Sequence, residues 1–460
     1  MAGLGFALRK MLDRDDLLGV AAGYARCVVV STGPWLFTVL CLAGICLLEP
    51  RMVFYEERAS FQIILCYNFA FSLVLSGPLL ALATRQLSDL IYLRRAEEAM
   101  GLLLGTLVLL CGTQACVVVP FYFGFAHLDL ATRLFACINF FLISGIWTVQ
   151  VFLPTLRDDR AAALSFAGGL ALAFAAAAAG GRLYSVAGML AGFSAGLALA
   201  FFALLAQIFA EYPRTCVRPW AVLGLWRRHW RLAAGGLAYN AAIWVDKWVM
   251  WNSPEAVRQD CGLVSAPRYD SSMFLAYLTI VPAIALFVLH VETRFHGKYL
   301  AYLADIRGHA RWDTIEKDRE AILETVGAGA RQIVLWQGLV TVLAILVAPL
   351  LLPRLGMSSS EVGIFRLGAL GAFFHALLLF LLILLSYFEL HRETLYVQLF
   401  FLAANAAFTQ WSIAQGPAWY GYGYSLAATL AFALACGLAF RLAPTLTYET
   451  FVRRNATLRG

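Results

Sequence analysis

Long apolar stretches broken by short polar ones make up most of this chain. Most are near 20 residues, the length an α-helix needs to cross the hydrocarbon core of a bilayer. Twelve spans are predicted, at 24–48, 59–84, 100–123, 131–153, 161–179, 186–209, 232–252, 271–291, 332–352, 364–385, 395–413 and 424–440. The fold class that follows is all-α integral membrane, with about twelve transmembrane helices. Lys and Arg are concentrated in alternate loops, roughly 26 on the side holding both termini against roughly 8 on the other. That asymmetry predicts a multi-pass protein of the bacterial inner membrane with both termini in the cytoplasm.

The polar connections divide the chain further. Residues 1–23 place Leu4, Leu8, Met11 and Leu12 at helical spacing opposite Arg9, Lys10, Asp13 and Arg14, the pattern of an amphipathic helix lying in the interface. The apolar run that follows is longer than a signal-peptide core and lacks a small-residue cleavage pattern, so it is expected to stay attached. Residues 210–231, with Pro213, Pro219 and five arginines, read as a cytoplasmic linker between a six-helix lobe at 24–209 and a second at 232–440. The second lobe carries a cytoplasmic helical loop at 292–331, and 441–460 form a cytoplasmic tail. In that loop Tyr299, Tyr302, Leu303 and Ile306 are expected either to form a docking surface for a partner or to belong to a solvated loop. Gly33-Pro34 and Gly77-Pro78 interrupt the first two spans. They are candidate hinges, since Pro removes a helical hydrogen bond and Gly permits a bend; static packing kinks are the alternative.

Composition narrows the class. Only 14% of residues are charged and the mean hydropathy is +0.75, which excludes a water-soluble domain of 460 residues. The net charge of +7 lies in alternate loops and reports topology, so no nucleic-acid partner is expected. Ten cysteines without CxxC or Cys/His clustering predict free thiols and no metal. GxxxxGK[ST] and HExxH are absent, and Asp13-Arg14-Asp15 has no nucleotide-holding domain behind it, so neither enzyme activity nor a cofactor is expected.

The seventh span carries the most unusual chemistry. Asp246 and Lys247 lie 14 to 15 residues from its cytoplasmic end, roughly 21 Å along the axis. As neighbours on a helix they are expected to point apart. Helical spacing assembles one stripe of Asn240, Trp244, Lys247 and Trp251, with Asp246 on the next. Aromatic faces interleaved with polar groups suit a carbohydrate, whose C–H faces stack while its hydroxyls need partners. The alternative is an interfacial aromatic belt with a snorkelling Lys247 and a separately paired Asp246. Asn68 and Ser72 in the second span, Asn139 and Gln150 in the fourth and Trp336 in the ninth are further candidates for a polar path. Interhelical hydrogen bonding is the competing use of such residues.

Several long motifs carry a resemblance: MAGLGFALRKML at the start, STGPW at 31–35, SGPLLALATRQLSDLIY at 76–92, GLAYNAAIWVDKWVMW at 236–251, and FLAYLTIVPAIALFVLHVETRF at 274–295. Over its whole length the chain resembles the PelG family, inner-membrane transporters for the Pel biofilm exopolysaccharide. The resemblance implies a MOP/MATE-like fold of two six-helix lobes. It also implies an amino-sugar polymer as cargo, a PelF-like cytoplasmic glycosyltransferase as partner, and PelD-like and PelE-like membrane subunits. Three functions stay open at this point: a polysaccharide translocator, an ion-coupled flippase or exporter of lipid-linked oligosaccharide or small molecules, and a non-transporting scaffold of a polysaccharide synthase.

Overall fold

In the computed structural model, residues 55–153, 159–213, 215–290, 294–442 and 444 are described. The first predicted span, the N-terminal amphipathic segment, Gly33, Pro34 and most of the C-terminal tail lie outside them. Helices account for almost everything else, as lipid requires of a chain whose backbone groups must pair internally. Eight helical segments among the described residues are long and apolar enough to cross a membrane.

One compact unit holds the described residues up to Pro267. It comprises α1 (Tyr55–Tyr92), α2 (Ala99–Pro120), α3 (Leu130–Phe152), α4 (Asp159–Glu211), α5 (Ala221–Arg228), α6 (Trp230–Met250) and a short hairpin of β1 (Val257–Arg258) and β2 (Val264–Ser265). The fifth and sixth predicted spans are the two halves of α4, which reverses at Tyr184 and Ser185, where Ser185 takes φ +57°. Small residues let the halves pack almost backbone to backbone. A Cβ on Gly192 would lie 2.2 Å from the Ala176 backbone, and one on Gly188 2.0 Å from the Gly180 carbonyl.

The same device joins α1 to α6. A Cβ on Gly77 would lie 2.7 Å from the Gly236 carbonyl oxygen, and one on Gly236 2.6 Å from that of Gly77. α1 runs as one helix through Gly77 and Pro78 rather than breaking there. Pro78 removes the N–H that would bond the Val74 carbonyl, and the Asn240 amide donates to the adjoining Leu73 carbonyl at 3.0 Å, supporting the weakened turn from across the seam. The helix of the seventh predicted span therefore packs within the first compact unit, which runs to Pro267.

The second unit, from Arg268, comprises α7 (Pro267–Leu278, entered at its second residue), α8 (Val281–His290), α9 (His296–Arg307), α10 (Trp312–Leu351), α11 (Ser359–Tyr387), α12 (His391–Gln415) and α13 (Tyr422–Leu442). α10 is 40 residues long, about 60 Å, so one rod carries both the charged segment that begins at Trp312 and the ninth span. The described part of the 292–331 segment, from Arg294, is part of this unit's core. Phe295 stacks on Tyr299 at 5.8 Å, Tyr302 is fully buried beside Ile315 and Ile322, and the Tyr299 hydroxyl donates to the Tyr387 carbonyl at 2.9 Å. This corrects the expected docking surface: aromatics at helical spacing serve a core as readily as a partner, and here α10 and α11 cover them.

Candidate functional site

The unusual residues of the first unit collect along the seam of α1 and α6. On α1, Tyr67 and Phe71 are one turn apart and lie on one face; Trp244 and Trp248 of α6, with Trp251 at its C-cap, recur at the same spacing. The Trp251 ring stacks on Tyr67 with centroids 4.5 Å apart and planes within 4°. Trp248 stacks on Phe71 at 5.2 Å and 5°, and Tyr67 continues the array to Phe121 at 5.9 Å. The Tyr67 hydroxyl donates to the Val264 carbonyl at 2.8 Å, which ties the ladder to the β-hairpin following α6. Each stacked pair adds about 0.5–1.5 kcal/mol beyond the area it buries, so the ladder is a rigid wall. The indole N–H groups of Trp244 and Trp248 are buried without a hydrogen-bond partner among the described residues.

Beside the ladder lies a buried ion pair. Asp246 is fully buried and Lys247 is 6% exposed, and the ammonium sits 3.0 and 3.1 Å from the two carboxylate oxygens. Adjacent Cα–Cβ bonds do diverge. The four-carbon lysine stem nevertheless folds back along the helix, where Nζ also donates to the Ile243 carbonyl at 3.3 Å and lies 5.6 Å from the Trp244 ring centroid. The expectation that the two point apart is thereby corrected, because side-chain reach overrides Cβ direction. The two charges compensate each other, so this part of the seam carries a dipole.

The other candidates separate from the seam. Asn68 is fully buried; its amide donates to the Ala136 carbonyl and to Asn139 Oδ1, both at 3.0 Å, and its Oδ1 accepts from the Tyr122 hydroxyl at 2.6 Å. Asn139 donates onward to Ser194 at 3.3 Å. Ser72 bonds the Phe69 carbonyl, and Ser76 receives the Gln114 amide at 2.9 Å. These groups pair with one another inside the bundle and hold α1, α2, α3 and α4 together. Gln150 is half-buried near the end of α3. Trp336 is exposed and shares an apolar face of α10 with the exposed Leu339 and Leu343, away from any polar cluster.

One G-x-S-x-G pentad, GFSAG at 192–196, spells a hydrolase nucleophile elbow. That device needs a strand–turn–helix, whereas here the pentad is mid-helix and its glycines are the contact points of the α4 hairpin.

The sequence pattern passed over several residues that the fold brings together. Trp248, Tyr67 and Phe71 complete the ladder, and their signal was the i, i+4 recurrence of aromatics on the second and seventh predicted spans. In the second unit, the buried His375 ring nitrogen Nδ1 is 2.8 Å from the Tyr424 hydroxyl, with Tyr277 and Phe401 packed around the pair. A histidine inside the otherwise apolar FFHALLLF run is a signal of its own. Among the described residues, no three His, Cys, Asp or Glu side chains converge as metal ligands.

Comparison with known proteins gives a consistent picture. The family model PelG, described as "Putative exopolysaccharide Exporter (EPS-E)", matches residues 1–451. No curated protein matches the chain. Among solved structures, a MATE transporter in complex with MaL6 is 13% identical with a TM-score of 0.65, covering 92% of this chain and 96% of its own. An outward-facing multidrug resistance MATE transporter of the MOP superfamily is 14% identical at TM-score 0.64, covering 97% and 99%. A MOP superfamily transporter from Pyrococcus furiosus is 14% identical at 0.61, covering 92% and 95%. At these identities the likeness concerns the fold, which is MOP-like.

Proposed function

Because the chain belongs to the PelG family of exopolysaccharide exporters, we propose that it passes an amino-sugar polymer outward across the bacterial inner membrane and that the α1–α6 seam contacts that polymer. The observation that carries the site assignment is the ladder Trp251–Tyr67–Phe121 with Trp248–Phe71 alongside the indole N–H groups of Trp244 and Trp248, which have no partner among the described residues. Pyranose rings present C–H faces that pack on flat π surfaces, and hydroxyls that accept from an indole N–H. A wall of half-buried Phe71, Trp244, Trp248 and Trp251 around the buried Tyr67, with spare donors, meets both needs without binding any one sugar tightly, which suits a chain that must keep moving. Asn240, Trp244 and Trp251 contribute the contact, while the Asp246–Lys247 pair keeps α6 charge-balanced in the bilayer.

In this reading both termini are cytoplasmic, the two units act as the lobes of the transporter, and a PelF-like glycosyltransferase with PelD-like and PelE-like membrane subunits delivers the polymer. The test is secreted polymer per molecule of protein in the membrane, measured for Trp244→Ala, Trp251→Ala and Asn240→Leu. Each is expected to lower export severalfold at normal abundance. Wild-type export per molecule in all three would refute the assignment.

A further inference from the structure

The connection between α4 and α6 is fixed to the first unit on one side and open on the other. Its inner side is closely held. A Cβ on Gly101 would lie 2.0 Å from the Val217 carbonyl oxygen and one on Gly105 1.7 Å from that of Pro219, so the strand of chain entering α5 rests directly on α2. Thr215 donates to the Glu97 carbonyl at 3.1 Å, and Val222 is fully buried in the core that Leu225 also packs against. On the outer side Trp220, Leu223, Trp226 and Trp230 are each about half exposed, at 52, 52, 48 and 52%.

Cations surround these rings. Arg218, Arg227, Arg228 and Arg231 are exposed, and none forms an ion pair among the described residues. Arg231 lies 5.6 Å from the centroid of the Trp230 ring. From Tyr212 to Val245 the chain contains no Asp or Glu at all. The segment follows directly on the long apolar helix that ends at Glu211, a candidate membrane span, so its start lies at the end of that span, where headgroups are expected.

We propose that α5 and its flanking tryptophans form a binding site for anionic phospholipid of the cytoplasmic leaflet. The aromatic rings and Leu223 enter the acyl boundary, and the four guanidinium groups take the headgroup phosphates. Two features favour lipid over an acidic protein. The exposed apolar and cationic groups alternate along one short segment, so any occupant must offer hydrocarbon and anion close together, and the helix leading into the segment is a candidate membrane span. Its attachment to α2 makes the site a fixed part of the first unit.

The test uses the full chain purified in neutral detergent, with native mass spectrometry reading the retention of added phosphatidylglycerol or phosphatidylcholine. Wild type is expected to retain phosphatidylglycerol preferentially. Each arginine near a surface contributes roughly fivefold in affinity, so R227Q/R228Q/R231Q is expected to lose most of the preference, on the order of tenfold or more. The charge-keeping R227K/R228K/R231K is expected to retain it, and single-site Arg228→Gln gives a milder step if the triple variant is unstable. Equal retention of the two lipids by wild type would overturn the proposal, as would an unchanged preference in both glutamine variants. Displacement of the lipid by an equal concentration of soluble glycerol phosphate would make the site one for free phosphate. A loss confined to co-purification of an acidic protein would make it a protein-docking face. Either result overturns the lipid assignment.

Discussion

Replacing Asn68 with Ala tests whether the polar network inside the first unit is structural. The substitution removes three hydrogen bonds at once, to the Ala136 carbonyl, to Asn139 and from the Tyr122 hydroxyl, in a position fully shielded from solvent. Interhelical hydrogen bonds in membranes average about 0.6 kcal/mol and reach about 1.7, so the loss is expected near 2 kcal/mol with an upper bound near 5. Tyr122→Phe removes only one of the three and should cost about 0.6–1.7 kcal/mol. The double variant should cost less than the two singles added, because both delete the same bond. Unfolding by SDS titration in mixed micelles reads these differences, and membrane abundance with secreted polymer completes the measurement. Export should fall in step with abundance. Wild-type unfolding combined with abolished export would show that Asn68 touches cargo and that the structural reading is wrong.

Asp246→Asn should sharply reduce folded protein, because an unpaired buried ammonium costs about 3–5 kcal/mol, and adding Lys247→Met should restore abundance by removing both charges. Failure of the double variant to recover would show that the pair has a role beyond balancing charge. Tyr302→Ser should remove a fully buried ring and cost about 3–5 kcal/mol, visible as lost membrane protein. Normal abundance with loss of a cytoplasmic partner would return Tyr302 to a docking role. For topology, an impermeant thiol reagent applied to spheroplasts should label Asp260→Cys on the exposed hairpin but leave the buried native Cys261 silent, while the exposed Cys216 should react only after permeabilisation. Labelling of Cys216 in intact spheroplasts would invert the orientation.

Most span positions could be read from the chain because hydropathy over 20 residues is set by lipid itself, though the helices of the seventh and eleventh predicted spans are not among the segments apolar enough to cross. Even the α4 hairpin falls where the small polar break at 180–185 suggested. What could not be read depends on side-chain geometry. Lys247 turns back on its own helix to reach Asp246, which spacing rules based on Cβ direction miss. Tyr299 and Tyr302 carry the same period whether they face a partner or α10 and α11. Asn68 and Asn139 look identical as path lining and as glue until their 3.0 Å bond is seen. Trp251 was readable as a candidate, yet its stacking partner Tyr67 lies 184 residues away in sequence, and no local pattern connects the two.

The central claim is that the α1–α6 seam touches polysaccharide in transit. The direct measurement is photo-crosslinking from a benzoylphenylalanine placed at Trp251, in cells producing the polymer, with the recovered protein probed for attached amino sugar. A carbohydrate adduct is expected at Trp251 and not at the exposed apolar position Leu343 of α10, and it should vanish when the cytoplasmic glycosyltransferase is inactive. No adduct at Trp251, or equal adducts at both positions, would contradict the account.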